Sequence, residues 1–480
     1  MNGVWLASAP LLVLSAGAVV LMLAISVHRS ITVAWTITAA TMALAVLACI
    51  EARSAIPLAV TPLLMADLYA LLFTALFCAC GFVTVVIARD YLESRPGQNE
   101  ELFLLLLLST LGAATLAYAN HFAALLLGLE LLGVSLYALI AYPDRLPLPL
   151  EAGIKYLVLS AAASAIYLFG FALLYAAVGA LDYAGIGEAL RGELPGRGFL
   201  LLAAGAMIIA GLGYKLSAVP FHMWTPDVYE GAPAPIAGFL AAVSKAAIFV
   251  ALLRWWMASG LYDQPALVTI VGLIAGASML VGNLLALLQD NIKRILAYSS
   301  IAHMGYLLIV LVATSVAGSP RLAIEAAAYY LVAYTATVLA AFTLLGLLSN
   351  SGGEGEPDRI DDLTGLFWRQ PGLSLLFTVA LLSLAGIPLT AGFIGKFYLF
   401  AAGVDGTLWG LIGLLVIGSG ISIYYYLRLV FQMAKPSQDT EQSLAAPSWS
   451  ARLTCYGLVA AMIYLGIVPA PLMGLLRTIL

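Results

Sequence analysis

Four of the six lysines in this chain fall inside or at the edge of long apolar runs: Lys155, Lys215, Lys245 and Lys396. A lysine at the centre of a membrane helix costs about 2.5–3.5 kcal/mol on insertion scales, so such a residue needs a chemical reason. Lys245 lies 13 residues past Ala232, about 20 Å along a helix at 1.5 Å per residue. Glu130 lies 9 residues past His121, about 14 Å in by the same rise. A lysine's proton affinity changes readily on burial, and a nearby carboxylate favours its charged form. A movable pair of Glu130 and Lys215 could therefore load and release a proton. Snorkelling to the interface is the alternative for each of these side chains, and it fits Lys155, at the edge of its run, best.

The stretch from Tyr214 to Lys245, YKLSAVPFHMWTPDVYEGAPAPIAGFLAAVSK, concentrates this chemistry. Pro220 removes a backbone donor and interrupts a helix. Irregular backbone at membrane depth survives only where it is buried in protein or lines a wet cavity. A proline break between two lysines thus points to an internal ion path. His303 lies about 8 residues into its run at 1.5 Å per residue, and reads either as a core histidine or as a relay with a near-neutral pKa. His222 is open between the same two readings. Asp227 and Glu230 read as caps or loop anchors, and His28 and His121 as interface residues. Tyr424, Tyr425 and Tyr426 read as packing or as a hydroxyl path.

The elements that must position these groups are membrane helices. The chain has 480 residues, of which 63% are hydrophobic and 10% charged. Spans need roughly 20 apolar residues, and about fourteen such runs are present. They lie near 4–27, 31–50, 63–88, 101–118, 121–141, 153–179, 198–224, 232–257, 266–288, 295–317, 322–348, 372–403, 407–433 and 451–475. The twelfth is too long for one straight crossing. Residues 182–197 read as a polar loop, and 349–363, SNSGGEGEPDRIDDL, as a flexible surface connector. The first run lacks a basic n-region and reads as a retained span. Cys49, Cys78, Cys80 and Cys455 all sit in apolar runs and read as small hydrophobes, not metal ligands. A net charge of −4 gives no reason to expect nucleic acid as a partner. Odd-numbered loops carry eleven Lys and Arg against six in the even loops and C-terminus, which puts odd loops in the cytoplasm and both termini outside.

A weak internal repeat is visible. The seventh run has Lys215 five residues before Pro220, and the twelfth has Lys396 eight residues after Pro388. Two Pro-interrupted runs at matching positions of two halves suggest paired discontinuous helices.

GLELLGVSLYAL, EAGIKYLVLSAAASAIYLFG, GYKLSAVPFHMWTPDVYEGAPAPI, NIKRILAYSSIAHMGYLL and LAGIPLTAGFIGKFYLF resemble the antiporter-like N-type membrane subunits of proton-pumping NADH:quinone oxidoreductase, respiratory complex I. WTPDVYEGAPAP is the most specific string. The resemblance runs from about Glu101 to the C-terminus, and the length and span count fit it.

The resemblance implies an all-α polytopic membrane protein of fourteen helices, with two inverted five-helix repeats and discontinuous helices seven and twelve. The implied units are an N-terminal three-helix segment at 1–98, repeats at 99–260 and 261–434, and a last helix at 435–480. Glu130 would pair with Lys215, Lys245 would continue the polar axis, His303 would relay, and Lys396 would be the second-half site. The sister M type has a glutamate at the Lys396 position, and the longer L type ends in a lateral helix; neither feature is present here.

The implied role is proton translocation in the cell inner membrane, coupled to NADH oxidation and quinone reduction on partner subunits that hold the FMN and iron–sulfur clusters. No cofactor or metal is expected on this chain itself, because it offers no Gly-rich dinucleotide turn and no cluster-ligating cysteines. The partners expected are other complex I membrane subunits and the lipid bilayer. The alternatives are a subunit of a multisubunit Na⁺/H⁺ antiporter and one of a membrane-bound hydrogenase or ferredoxin-driven complex.

Overall fold

The computed structural model describes residues 2–93, 99–143, 146–192, 196–316, 320–349, 356, 358–436 and 448–479. Among the described residues thirteen helices are long and apolar enough to cross a membrane. A further broken span, Pro371–Ala385 with Ala391–Asp405, brings the number to fourteen. With no water at that depth, each helix must satisfy its own backbone, which is why the chain is helical nearly throughout.

In order, α1 (Asn2–Ala7) and α2 (Ala9–Val27) make the first span, jointed at Ser8, and α3 (Ile31–Ala52) the second. A hairpin of β1 (Leu58–Thr61) and β2 (Leu64–Ala66) precedes α4 (Leu68–Glu93). The hairpin is a local departure within an otherwise helical chain. Pro57 and Pro62 bar a helix across this stretch, and Val60 and Thr61 favour an extended chain.

Next come α5 (Glu101–Tyr118), α6 (Phe122–Ile140), α7 (Pro147–Val178) and α8 (Tyr183–Arg191). The short α8 occupies the loop expected to be merely polar, capped by Asp182, whose side chain accepts from the Gly185 N–H. α9 (Gly198–Lys215) ends at its lysine, and α10 (Trp224–Gly231) is a short helix where a Pro/Gly-rich connector was expected. The eighth span is itself interrupted, because α11 (Ala234–Phe239) passes through a π turn at Leu240–Ser244 before α12 (Lys245–Ala258). The apolar run alone predicts a continuous helix here.

The second half holds α13 (Pro265–Leu287), α14 (Ile292–Val316), α15 (Pro320–Ser349), α16 (Leu366–Arg369), α17 (Pro371–Ala385), α18 (Ala391–Asp405) and α19 (Trp409–Ala434). The fourteenth run is split into α20 (Trp449–Ile467) and α21 (Ala470–Ile479), because Pro469 stops the helix ladder between them. α14 is buried along nearly its whole length, and the eighth span and α15 nearly as fully, which puts the three at the centre of the bundle.

Both proline breaks occur. Between α9 and α10 the chain leaves the helix from Leu216 to Met223, with Ser217 at φ 61. α17 is closed by Gly386 at φ 85, a left-handed position that glycine adopts freely, and α18 restarts beyond Pro388. Glycines allow close backbone contact between helices at two corresponding places. A Cβ on Gly112 of α5 would lie 2.6 Å from the Leu132 nitrogen of α6, and one on Gly282 of α13 would lie 2.7 Å from the Ala302 nitrogen of α14. Backbone cannot yield as a side chain can, so Gly112→Ala is expected to cost about 1–3 kcal/mol. Thermal melting of the purified protein in its complex should show the loss. Gly410→Ala, where nothing lies within 4 Å, should leave the melting point in place.

Candidate proton path

Glu130, on α6, and Lys215, at the end of α9, both reach α7. The Glu130 Oε1 accepts hydrogen bonds from Ser164 Oγ (2.6 Å) and from the Tyr167 hydroxyl (2.8 Å). Lys215 Nζ donates to Ser160 Oγ (2.7 Å), which also accepts from the Tyr137 hydroxyl (2.6 Å). Glu130 and Lys215, expected to lie within direct or one-water contact, each bond a hydroxyl of α7. The reason is geometric: α7 presents Ser160 and Ser164 one turn apart on one face, and each charged head takes its own hydroxyl. The two charges still feel one another electrostatically.

Lys245 is fully buried at the start of α12, directly after the π turn. Its Nζ donates to Ser300 Oγ on α14 (2.7 Å) and lies 5.3 Å from the Tyr229 ring. Ser300 in turn shares a 2.6 Å hydrogen bond with the Tyr334 hydroxyl of α15. One turn back on α15, the Tyr330 hydroxyl meets His303 Nδ1 at 2.5 Å. The His303 ring lies edge-on to Tyr306, 5.6 Å between centroids, and Lys396 Nζ sits 5.4 Å from that same Tyr306 ring. Lys396 donates to the carbonyls of Leu384 (3.1 Å) and Ala385 (2.9 Å). Those acceptors are orphan carbonyls at the end of α17, so the break in the twelfth span is what receives the lysine. Beyond Tyr306, Asn283 links its hydroxyl to Tyr425, and Tyr426 bonds Ser299. Tyr425 and Tyr426 thus use their hydroxyls, whereas Tyr424 is exposed.

Lys245, His303 and Lys396 therefore share one network of serine and tyrosine hydroxyls and rings, while Glu130 and Lys215 each hold their own hydroxyls on α7. The broken segment lies between them. Among the described residues the Tyr214 hydroxyl, Ser217 Oγ, Thr225 Oγ1 and both ring nitrogens of His222 are buried with no hydrogen-bond partner. All belong to this break or its edges.

Ion pairs surround these buried groups. Asp227 and Glu230, read as caps or loop anchors, both enter ion pairs. Asp227 accepts from Lys155 (2.9 Å) and Arg294 (2.9 Å), and Glu230 from Arg294 (2.7 Å). Burial works to raise the Asp227 pKa, but the hydrogen bonds from Lys155 and Arg294 hold its carboxyl below the ordinary value. Lys155 also pairs with Glu151 (2.7 Å). Lys293 is buried against Glu356 (2.6 Å) and Asp358 (3.4 Å). This end of the expected surface connector is docked into the bundle because the buried ammonium requires a counter-charge; residues 350–355 and 357 lie outside the described residues. Arg254 is held by both oxygens of Asp67, each at 2.7 Å.

His121 caps α6 through its Nδ1, which accepts from the Ala123 N–H, and His28 is exposed. The four cysteines are free and buried. Among the described residues no group of three or more His, Cys, Asp or Glu could hold a metal ion.

Residues 119–422 match the transmembrane family described as NADH:quinone oxidoreductase/Mrp antiporter. The chain belongs to this family. It is 47% identical over 465 residues to NADH-quinone oxidoreductase subunit N of Methylococcus capsulatus, covering 96% of this chain and 92% of that protein. It is 46% identical to the subunit of the same name from Ectopseudomonas mendocina, covering 98% and 95%. Among solved structures, a chain of respiratory complex I from Thermus thermophilus with bound aureothin superposes with TM-score 0.81 at 34% identity, covering 97% and 98% of the two chains. A chain of an Mrp complex from Dietzia superposes with TM-score 0.84 at 18% identity; that likeness is one of fold.

Proposed function

We propose that this chain is an antiporter-like, proton-translocating membrane-arm subunit of a NADH:quinone oxidoreductase. It works within a hetero-oligomeric complex as a multi-pass membrane protein, and it does no redox chemistry itself. FMN, iron–sulfur clusters, NADH and quinone are handled by partner subunits. The chain resides in the cell inner membrane with both termini on the periplasmic side, as its Lys and Arg distribution favours.

The observation that carries the mechanism is the buried row from Lys245 through Ser300, Tyr334, Tyr330, His303 and Tyr306 to Lys396. Each member can give and take a proton or a hydrogen bond. Glu130 and Lys215 form the first station, where Ser160 and Ser164 supply adjacent hydroxyls. The unpartnered hydroxyls and the His222 ring in the break support internal water as the link to Lys245, since buried polar groups are satisfied by protein or by ordered water. His222 lies within electrostatic reach of Lys245.

The two halves are read as repeats, with units at 1–98, 99–260, 261–434 and 435–480. Their contacts recur at one spacing. Gly112 against Leu132 recurs as Gly282 against Ala302, each 170 residues on. The bridge at His121 recurs at Asn291, and the hydrogen bond between Glu130 and Ser164 recurs between Ser300 and Tyr334. Substituting one station in each half tests this reading. Glu130→Gln and Lys396→Ala are each expected to lower proton uptake into vesicles at least several-fold while the chain still co-purifies with NADH-oxidising partners. Unchanged uptake in both variants would remove the path. Sodium-dependent exchange by the isolated chain would favour the antiporter instead.

A further inference from the structure

The 170-residue spacing pairs two clusters that the proton path leaves unused. On α7, Glu151 and Lys155 form an i,i+4 ion pair. Their counterparts on α15 are Arg321 and Glu325, which also form an i,i+4 pair, at 3.0 Å, with the polarity reversed. Each pair recruits a third charge from a short helix outside the main spans. Lys155 takes Asp227 of α10, and Glu325 takes Arg477 of α21 at 3.3 Å.

The second cluster is the more consequential. The Glu325 side chain is 5% exposed, whereas those of Arg321 and Arg477 are 58% and 63% exposed. The buried carboxylate therefore depends on both surface arginines. Arg321 also donates to the Arg477 carbonyl, capping an orphan acceptor in the last turn of α21. One turn along α15 from Glu325, the Tyr329 hydroxyl donates to the Leu465 carbonyl of α20 at 2.6 Å. The C-terminal pair α20 and α21 is thus fastened to two successive turns of α15. Met473 and Leu476 of α21 are buried at the same contact. The next residue, Tyr330, begins the set that meets His303 and Ser300.

We propose that Glu325 is a positioning residue for proton translocation: with Arg321 and Arg477 it forms a charge clip that fastens α21 to α15 and so holds Tyr330 and Tyr334 in register with His303 and Ser300. This rests on the proton-translocating reading above. The clip needs opposite charges in place but no particular polarity, because Lys155 occupies the corresponding position in the first half with acidic partners. A residue that itself carried the proton would lack that freedom.

The test uses the whole membrane complex, with two readouts: amide hydrogen exchange over residues 470–479, and proton uptake alongside quinone reduction. Glu325→Gln and Arg477→Gln should each speed exchange in α21 and lower proton uptake several-fold. The triple variant Arg321→Glu, Glu325→Lys, Arg477→Asp, which copies the first-half polarity, should recover both. Loosened α21 with full uptake would overturn the positioning role. Restored protection of α21 without restored uptake would overturn it in favour of a proton carried by Glu325 itself. Unchanged exchange in both single variants would remove the clip. Should Glu325→Gln fail to assemble, Arg477→Gln, at an exposed side chain, carries the same comparison. Lys245→Ala serves as control: unaltered uptake there condemns the proton-path reading, while the exchange data still judge the clip.

Discussion

Lys245→Ala is expected to reduce proton uptake by about tenfold or more, equivalent to at least ~1.4 kcal/mol on the limiting step, while the complex still assembles. Lys245 bridges the helix break and the tyrosine network, and its Nζ has a single hydrogen-bonded partner among the described residues, Ser300 Oγ. Removing a costly intramembrane charge need not unfold a helix, so native gels should show intact complex. NADH-to-quinone turnover falls with pumping where the two are tightly coupled. Lys245→Arg separates the two roles a lysine could have here. A guanidinium stays protonated and cannot cycle, so arginine leaves pumping low if Lys245 passes a proton. It restores much of the activity if only a fixed positive charge is required. Full pumping in the alanine variant would sink the relay.

Asp67→Ala is expected to cost about 3–5 kcal/mol, because it strands a buried guanidinium. Arg254 is 10% exposed in its side chain, and both carboxylate oxygens of Asp67 engage it. Asp67 also caps the start of α4 by accepting from the Ala70 N–H at 2.8 Å. Arg254 lies over the Tyr69 ring, whose hydroxyl reaches back to the Val250 carbonyl of α12 at 2.8 Å. The pair therefore ties the N-terminal three-span segment to the helix that carries Lys245. Loss of mature complex on native gels, together with a lowered melting temperature, would register the effect. The double variant Asp67→Leu, Arg254→Met removes both charges and should recover most of the loss. If Asp67→Ala melts with the wild type, the pair has no role in joining these segments.

The sequence announced its spans and its costly charges because both are properties of single residues against an apolar background. Lys215, Lys245 and Lys396 stood out for that reason, and Pro220 and Pro388 marked the two breaks. What escaped notice was every partner that makes these charges tolerable. Ser160 and Ser164 occur in an apolar run where small polar residues also serve helix packing, so the run alone did not separate the two uses. Their spacing of one turn was the available signal, and Tyr330 and Tyr334 repeat it. Glu130 and Lys215 each bond a hydroxyl of a third helix, α7, which no pairing of charges in the sequence reveals. The pair of Asp67 and Arg254 joins residues 187 apart in sequence, a separation no local pattern reveals. The hairpin before α4 hid beneath an apolar stretch whose composition suits a span as well as a strand.

The π turn at Leu240–Ser244 gives the eighth span a spare residue. A π turn closes its hydrogen bonds at i→i+5 where the α-helix closes at i→i+4, so it behaves as a one-residue insertion absorbed within a single turn. Loss of one residue from this stretch would close the ladder into ordinary α-helix and leave the faces of α11 and α12 in phase. Loss of one residue after Lys245 would instead rotate everything downstream by about 100° at 3.6 residues per turn, turning Arg254 away from Asp67. The five residues before the lysine are thus where the span can absorb a deletion without turning its downstream face, and Lys245 sits at the boundary between an elastic register and a fixed one.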